Sequence, residues 1–377
     1  MQGPSGPTRF WPIVRKLSLG AGIALGVGMI LYSIGDIALI GDLFTQSNAG
    51  FPQYYGLTLF AVFMLLLLGA SVIRVSLAYS REKLRGGRIM STAVIGSVYL
   101  MVQGAALMSF ANQPGASGSI ATTIKNNGIL LIASGILIIV AGALLLQSNQ
   151  TSRIAGGVIA IVAAGVLTDL IYAQGSATTL FSSASYSNLP AIYTMFALQP
   201  LFRFPGVTGS FTLSTPGYFL ASYWAEIGAL IVGAVGLLAW SVLQNRKEAK
   251  YAAAIGGAAV FIYGIGLAIY GFQTSTTILG AAGSVSTSNL TGYASRLLSE
   301  SQIVGWSLLI AGIGGILALI ASGFGIALTA VGARPLVVQQ QSVAVPVGAM
   351  GGAFCRKCGA QARLGDANCR SCGAALA

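Results

Sequence analysis

Eight runs of about 20 or more mostly apolar residues recur along this 377-residue chain, each long enough to cross a hydrocarbon core of roughly 30 Å. They lie near 17–40, 55–79, 88–111, 128–147, 153–174, 220–243, 250–273 and 303–328. A backbone in lipid has no water to bond to, so each run must satisfy its own N–H and C=O groups as a helix. The expected fold class is an all-α polytopic membrane protein of about eight transmembrane helices, with residues 1–331 as the membrane domain.

Composition agrees with this. Charged residues make up only 7% of the chain against 55% apolar, where a soluble domain carries roughly 25% charged residues. The 51 glycines are spread through the apolar runs, as expected where small residues let membrane helices approach closely. The first run carries Gly22-x-x-x-Gly26 and Ala24-x-x-x-Gly28, a packing spacing of that kind. Arg9, Arg15 and Lys16 precede this run in the manner of a secretory signal. Its apolar stretch exceeds the roughly 7–15 residues of a signal core, however, and no small-residue cleavage site follows, so an uncleaved span is expected.

Charge placement orients the spans. When the connections are assigned alternately to two sides, 17 of the 20 lysines and arginines fall on the side of both termini. Only Lys125, Arg203 and Arg296 fall opposite. The positive-inside rule then places both termini in the cytoplasm of a multi-pass cell-membrane protein. An odd number of helices would spoil the partition. The net charge of +12 is thus chiefly a topology signal, and Arg74 is expected to snorkel to the inner interface.

Absences narrow the chemistry. The chain has no histidine, which removes Ser-His-Asp and Cys-His nucleophile systems, His-ligated haem and His-bound catalytic zinc. Its lysines lie in connections, tails or helix flanks, away from the mid-membrane position a Schiff base would need. No Walker loop, EF-hand loop or HExxH sequence appears. An enzyme is therefore not expected.

Three acids fall inside expected spans at similar depth near their outer ends: Asp36, Asp169 and Glu226. Acids in lipid are costly and mark ion or proton pathways by default, although residues near an interface also serve structural roles. The connection 175–219 is long and rich in proline and aromatic residues. Its centre, 191–200, has the length of a short interfacial or re-entrant helix, too short to span. Asn289-Leu-Thr291 is a glycosylation acceptor sequence on the outer side. Residues 128–180 and 227–279 show a weak self-similarity of two helices each, which would make a parallel repeat.

All four cysteines lie at the C-terminus, as Cys355-Arg-Lys-Cys358-Gly and Cys369-Arg-Ser-Cys372-Gly. In each pair two thiolates on a tight turn grasp one metal, and two such turns complete a closed tetrahedral site. The pattern resembles the short zinc ribbons found on many proteins, and the resemblance covers residues 354–377 only. It implies zinc held by Cys355, Cys358, Cys369 and Cys372, with rubredoxin-like iron using the same ligands. A cytoplasmic setting argues against disulfides. So small a segment has almost no core, and the metal must supply its folding free energy. Closed coordination leaves no catalytic position, and the small net charge offers little to nucleic acid. Residues 332–353 read as a flexible linker with a reach of roughly 25 Å.

These features lead to an expected interaction or assembly protein, embedded in membrane lipid, whose cytoplasmic zinc ribbon docks a cytoplasmic or membrane protein. The alternative is an ion or small-solute transporter or channel with an outward-facing acidic site. Oligomerisation is open.

Overall fold

The computed structural model describes residues 10–46, 53–112, 118–181, 217–244, 248–284 and 293–330, all within one compact unit, Met1–Val337. The described residues form eight α-helices: α1 Trp11–Gln46, α2 Gln53–Ser80, α3 Gly86–Ala111, α4 Gly118–Leu145, α5 Gln150–Phe181, α6 Gly217–Leu243, α7 Ala249–Ser284 and α8 Tyr293–Ala330. Each contains a stretch long and apolar enough to cross a membrane. The described chain contains no strand. Linker 332–353, the four cysteines, Asn289, Arg203 and the short element at 191–200 lie outside the described residues.

Several helices outrun their apolar cores. α5 continues through Gly175 to Phe181, α7 continues to Ser284, and α8 begins at Tyr293, well before the apolar run at 303. No proline interrupts these extensions, so their backbone bonds stay inside the helix after the sequence turns polar. The connection expected at 175–219 is shortened accordingly to 182–216.

Each helix packs against its predecessor and its successor, and α8 packs against α1. The chain thus closes into a ring. Contacts at the closing seam run antiparallel, with Gly35 beside Glu300 and Val304, Gly28 beside Ser307 and Ala311, and Gly20 beside Leu317. Only an even number of alternating helices closes in this way. We call the end holding the start of α1 and the finish of α8 the proximal end, and the opposite end distal.

Glycine sets how close the helices come. A Cβ on Gly104 of α3 would sit 2.4 Å from the Gly128 carbonyl oxygen of α4, and one on Gly271 of α7 would sit 2.6 Å from the Gly312 Cα of α8. These are backbone-to-backbone contacts, which in lipid must supply packing that the hydrophobic effect does not. The middle of the ring is filled by a cluster drawn from all eight helices, including Met29, Leu65, Tyr99, Leu131, Leu170, Ile227, Tyr270 and Leu308. The outer surface exposes Phe60, Phe63, Ile136, Val158, Trp306 and Phe324 among many large apolar side chains, as a surface facing lipid should.

The proximal turn between α2 and α3 ends α2 in a Schellman arrangement. Lys83 N–H donates to the Ala78 carbonyl at 2.8 Å and Glu82 N–H to that of Tyr79 at 3.1 Å, with Glu82 in the left-handed region at φ 57°. The cap aims Glu82 at Arg15 of α1, and the two form an ion pair. Arg74 is exposed on α2.

The glycine contacts predict a position-dependent cost. Gly104→Ile should destabilise the ring by about 1–3 kcal/mol through overpacking, read as a lower melting temperature in detergent. Gly165→Ile should leave melting unchanged, because a Cβ there meets nothing within 4 Å.

Candidate functional site

Polar residues inside the ring gather in its distal half, and helical spacing explains how. On α1 Tyr32 is followed four residues later by Asp36, on α3 Tyr99 by Gln103, and on α7 Tyr270 by Thr274. Residues four apart share a helix face, and all six side chains are buried. α1, α3 and α7 run in the same direction, from proximal to distal. Each tyrosine therefore has its polar companion one turn nearer the distal end.

The tyrosines form the inner layer. Tyr32 lies within electrostatic reach of Asp36, Tyr99 and Tyr270, and Asp36 is also within reach of Tyr99. Three helices that are not ring neighbours thus meet at the centre. Beside this layer is a cavity of about 20 Å3, lined by Tyr32, Tyr270, Met29 and Ser307 among others, which is room for about one water.

Buried serines in the ring are satisfied locally. Ser33 donates to the Met29 carbonyl at 2.8 Å, Ser97 to that of Ala93 at 2.8 Å and Ser134 to that of Leu130 at 2.7 Å, while the Ser71 and Thr92 hydroxyls meet at 2.6 Å between α2 and α3. The outer layer of the central cluster differs. Asp36 Oδ2, both amide atoms of Gln103 and Thr274 Oγ1 are buried without a hydrogen bond among the described residues. The Tyr99 hydroxyl sits beside the Gln103 amide.

The sequence-derived acids separate. Asp36 and Glu226 are buried at 7% and 5% exposure, whereas Asp169 is exposed on the outer face of α5. The inward face of α5 is Ala160, Ala163, Ala164, Leu167 and Leu170, and Asp169 lies off that stripe. Glu300, which sequence reasoning missed, is buried on α8, near Gly35 of α1. Glu226 and Glu300 each engage in further polar or electrostatic contacts. No lysine or arginine is buried among the described residues. Nor does any group of three or more Cys, Asp or Glu side chains gather there as a metal site.

Compared with known proteins, the chain matches no family model, no curated sequence and no solved structure.

The tyrosine layer and Asp169 differ in expected sensitivity. Tyr32→Ala should cost about 3–5 kcal/mol by opening a cavity in the centre, whereas Asp169→Asn should stay within about 0.5 kcal/mol of the parent. Thermal unfolding of both variants in one detergent checks the contrast.

Proposed function

We propose that this chain is a multi-pass integral protein of the cell membrane, with both termini in the cytoplasm, that works as an interaction or assembly protein. The ring is the anchor. The C-terminal segment 354–377, with zinc on Cys355, Cys358, Cys369 and Cys372, is the docking module and takes a cytoplasmic or membrane protein as partner. No catalysis is assigned to it. The observation that carries this reading is the closure of the ring around a centre filled by side chains from every helix. A packed ring suits a fixed platform. The paired cysteine turns supply the other half of the reading, because closed four-thiolate coordination folds a small module without a reactive position.

A second reading is favoured by the buried acids Asp36, Glu226 and Glu300 in the distal half. In this reading the protein is an ion or small-solute transporter or channel, and those side chains line its path.

Deleting 354–377 separates the two. The docking reading expects the intact protein, purified from native membranes, to carry about one zinc per chain and a co-purifying protein, with both lost on deletion. A partner that still co-purifies after deletion contradicts docking through the tail. Flux into proteoliposomes that survives the deletion and is lost in Asp36→Asn selects the transporter reading.

A further inference from the structure

We propose that the outer layer of the central cluster, Asp36 on α1, Gln103 on α3 and Thr274 on α7, is a binding site for a small monovalent cation held inside the ring. Three side chains at 7%, 0% and 6% exposure each have a polar atom without a hydrogen bond among the described residues. Buried polar groups in native proteins are almost always satisfied, and Ser33, Ser97 and Ser134 of this ring each donate to a carbonyl one turn back. Asp36, Gln103 and Thr274 each stand one turn distal to a tyrosine of the inner layer, and Tyr32 lies in reach of the other two tyrosines and of Asp36. One cation placed there would meet an oxygen of each side chain, Asp36 Oδ2, Gln103 Oε1 and Thr274 Oγ1.

The chemistry of the layer selects the ligand class. One carboxylate oxygen, one amide oxygen and one hydroxyl oxygen are hard neutral or anionic donors, suited to a hard cation. A bound anion would meet the Asp36 carboxylate. Divalent calcium is normally held by several carboxylates, and no such group exists among the described residues. A single positive charge neutralises a single aspartate. That balance matters because no lysine or arginine is buried among the described residues to do it, and an uncompensated charge at this depth is costly. The three side chains are at most 7% exposed, a setting that suits a bare small ion and not a bulky organic ammonium. The three donors come from α1, α3 and α7, and the ion would therefore tie together helices that do not touch in the ring sequence. This site stands independently of the tail.

Binding of radioactive sodium to the purified full-length protein in detergent, with choline chloride keeping ionic strength constant, tests the proposal. Saturable binding, competed by lithium or potassium and accompanied by a sodium-dependent rise in melting temperature, is the expected result. Asp36→Asn should abolish the binding. Thr274→Val, a near-isosteric change, should weaken it about tenfold, the loss of one hydrogen-bond-strength contact to a charged ligand. The parent protein alone decides the matter if a variant does not fold: no saturable sodium binding, or equal melting in sodium and choline, overturns the site. Sodium binding retained in a folded Asp36→Asn protein overturns it as well.

Discussion

Close backbone approach between helices is what the rest of this structure depends on. Lipid tails are as apolar as leucine, so burying apolar surface between two helices in a membrane releases little free energy. Association must come from dense packing, and packing is densest where neither helix carries a side chain. Gly104 against Gly128 and Gly271 against Gly312 bring main chains together. The α1–α8 seam repeats the device with Gly28 against Ser307 and Ala311, and Gly314 against Ala21 and Leu25. That seam turns a row of helical hairpins into a ring.

Once the ring is closed, its polar residues have only two places to go. Basic side chains collect at the proximal connections, where Arg15 pairs with Glu82 across the α2–α3 turn. An exposed pair of this kind contributes little to stability, but it holds the α1 start to the turn. Uncharged and acidic groups turn inward in the distal half, where tyrosines on three parallel helices form a platform beneath Asp36, Gln103 and Thr274. The ring is apolar outside and selectively polar inside, and three of its unsatisfied side chains, Asp36, Gln103 and Thr274, stand one turn above the tyrosines.

Much of this was legible in the sequence, because a helix in lipid needs about twenty apolar residues and the chain supplies eight such runs. Even parity was also readable, since lysine and arginine placement alternates and an antiparallel closing seam needs an even count. The direction each side chain faces was not. Helices that are apolar all round carry almost no directional signal, so Asp36, Asp169 and Glu226 looked equivalent until α5 turned its alanine and leucine stripe inward and left Asp169 outside. Glu300 was missed because it precedes the apolar run at 303, and only the length of α8 brings it into the bundle. The tyrosine spacing on α1, α3 and α7 was present in the sequence as Tyr-x-x-x-polar, but nothing local said that three such faces would meet. The four cysteines carry the strongest motif in the chain and lie outside the described residues, so their role rests on spacing and chemistry.

Closure of the ring is the central claim, and cross-linking across the α1–α8 seam tests it most directly. A Cβ at Gly28 lies 3.1 Å from that of Ala311, close enough for a disulfide after small adjustment. In a chain with the four tail cysteines replaced by serine and a protease site introduced between residues 182 and 216, Gly28→Cys with Ala311→Cys should oxidise within one chain in native membranes. The two halves should then stay joined after cleavage until a reductant is added. Halves that separate without reductant, with no cross-link formed under oxidising conditions, would contradict the closed ring.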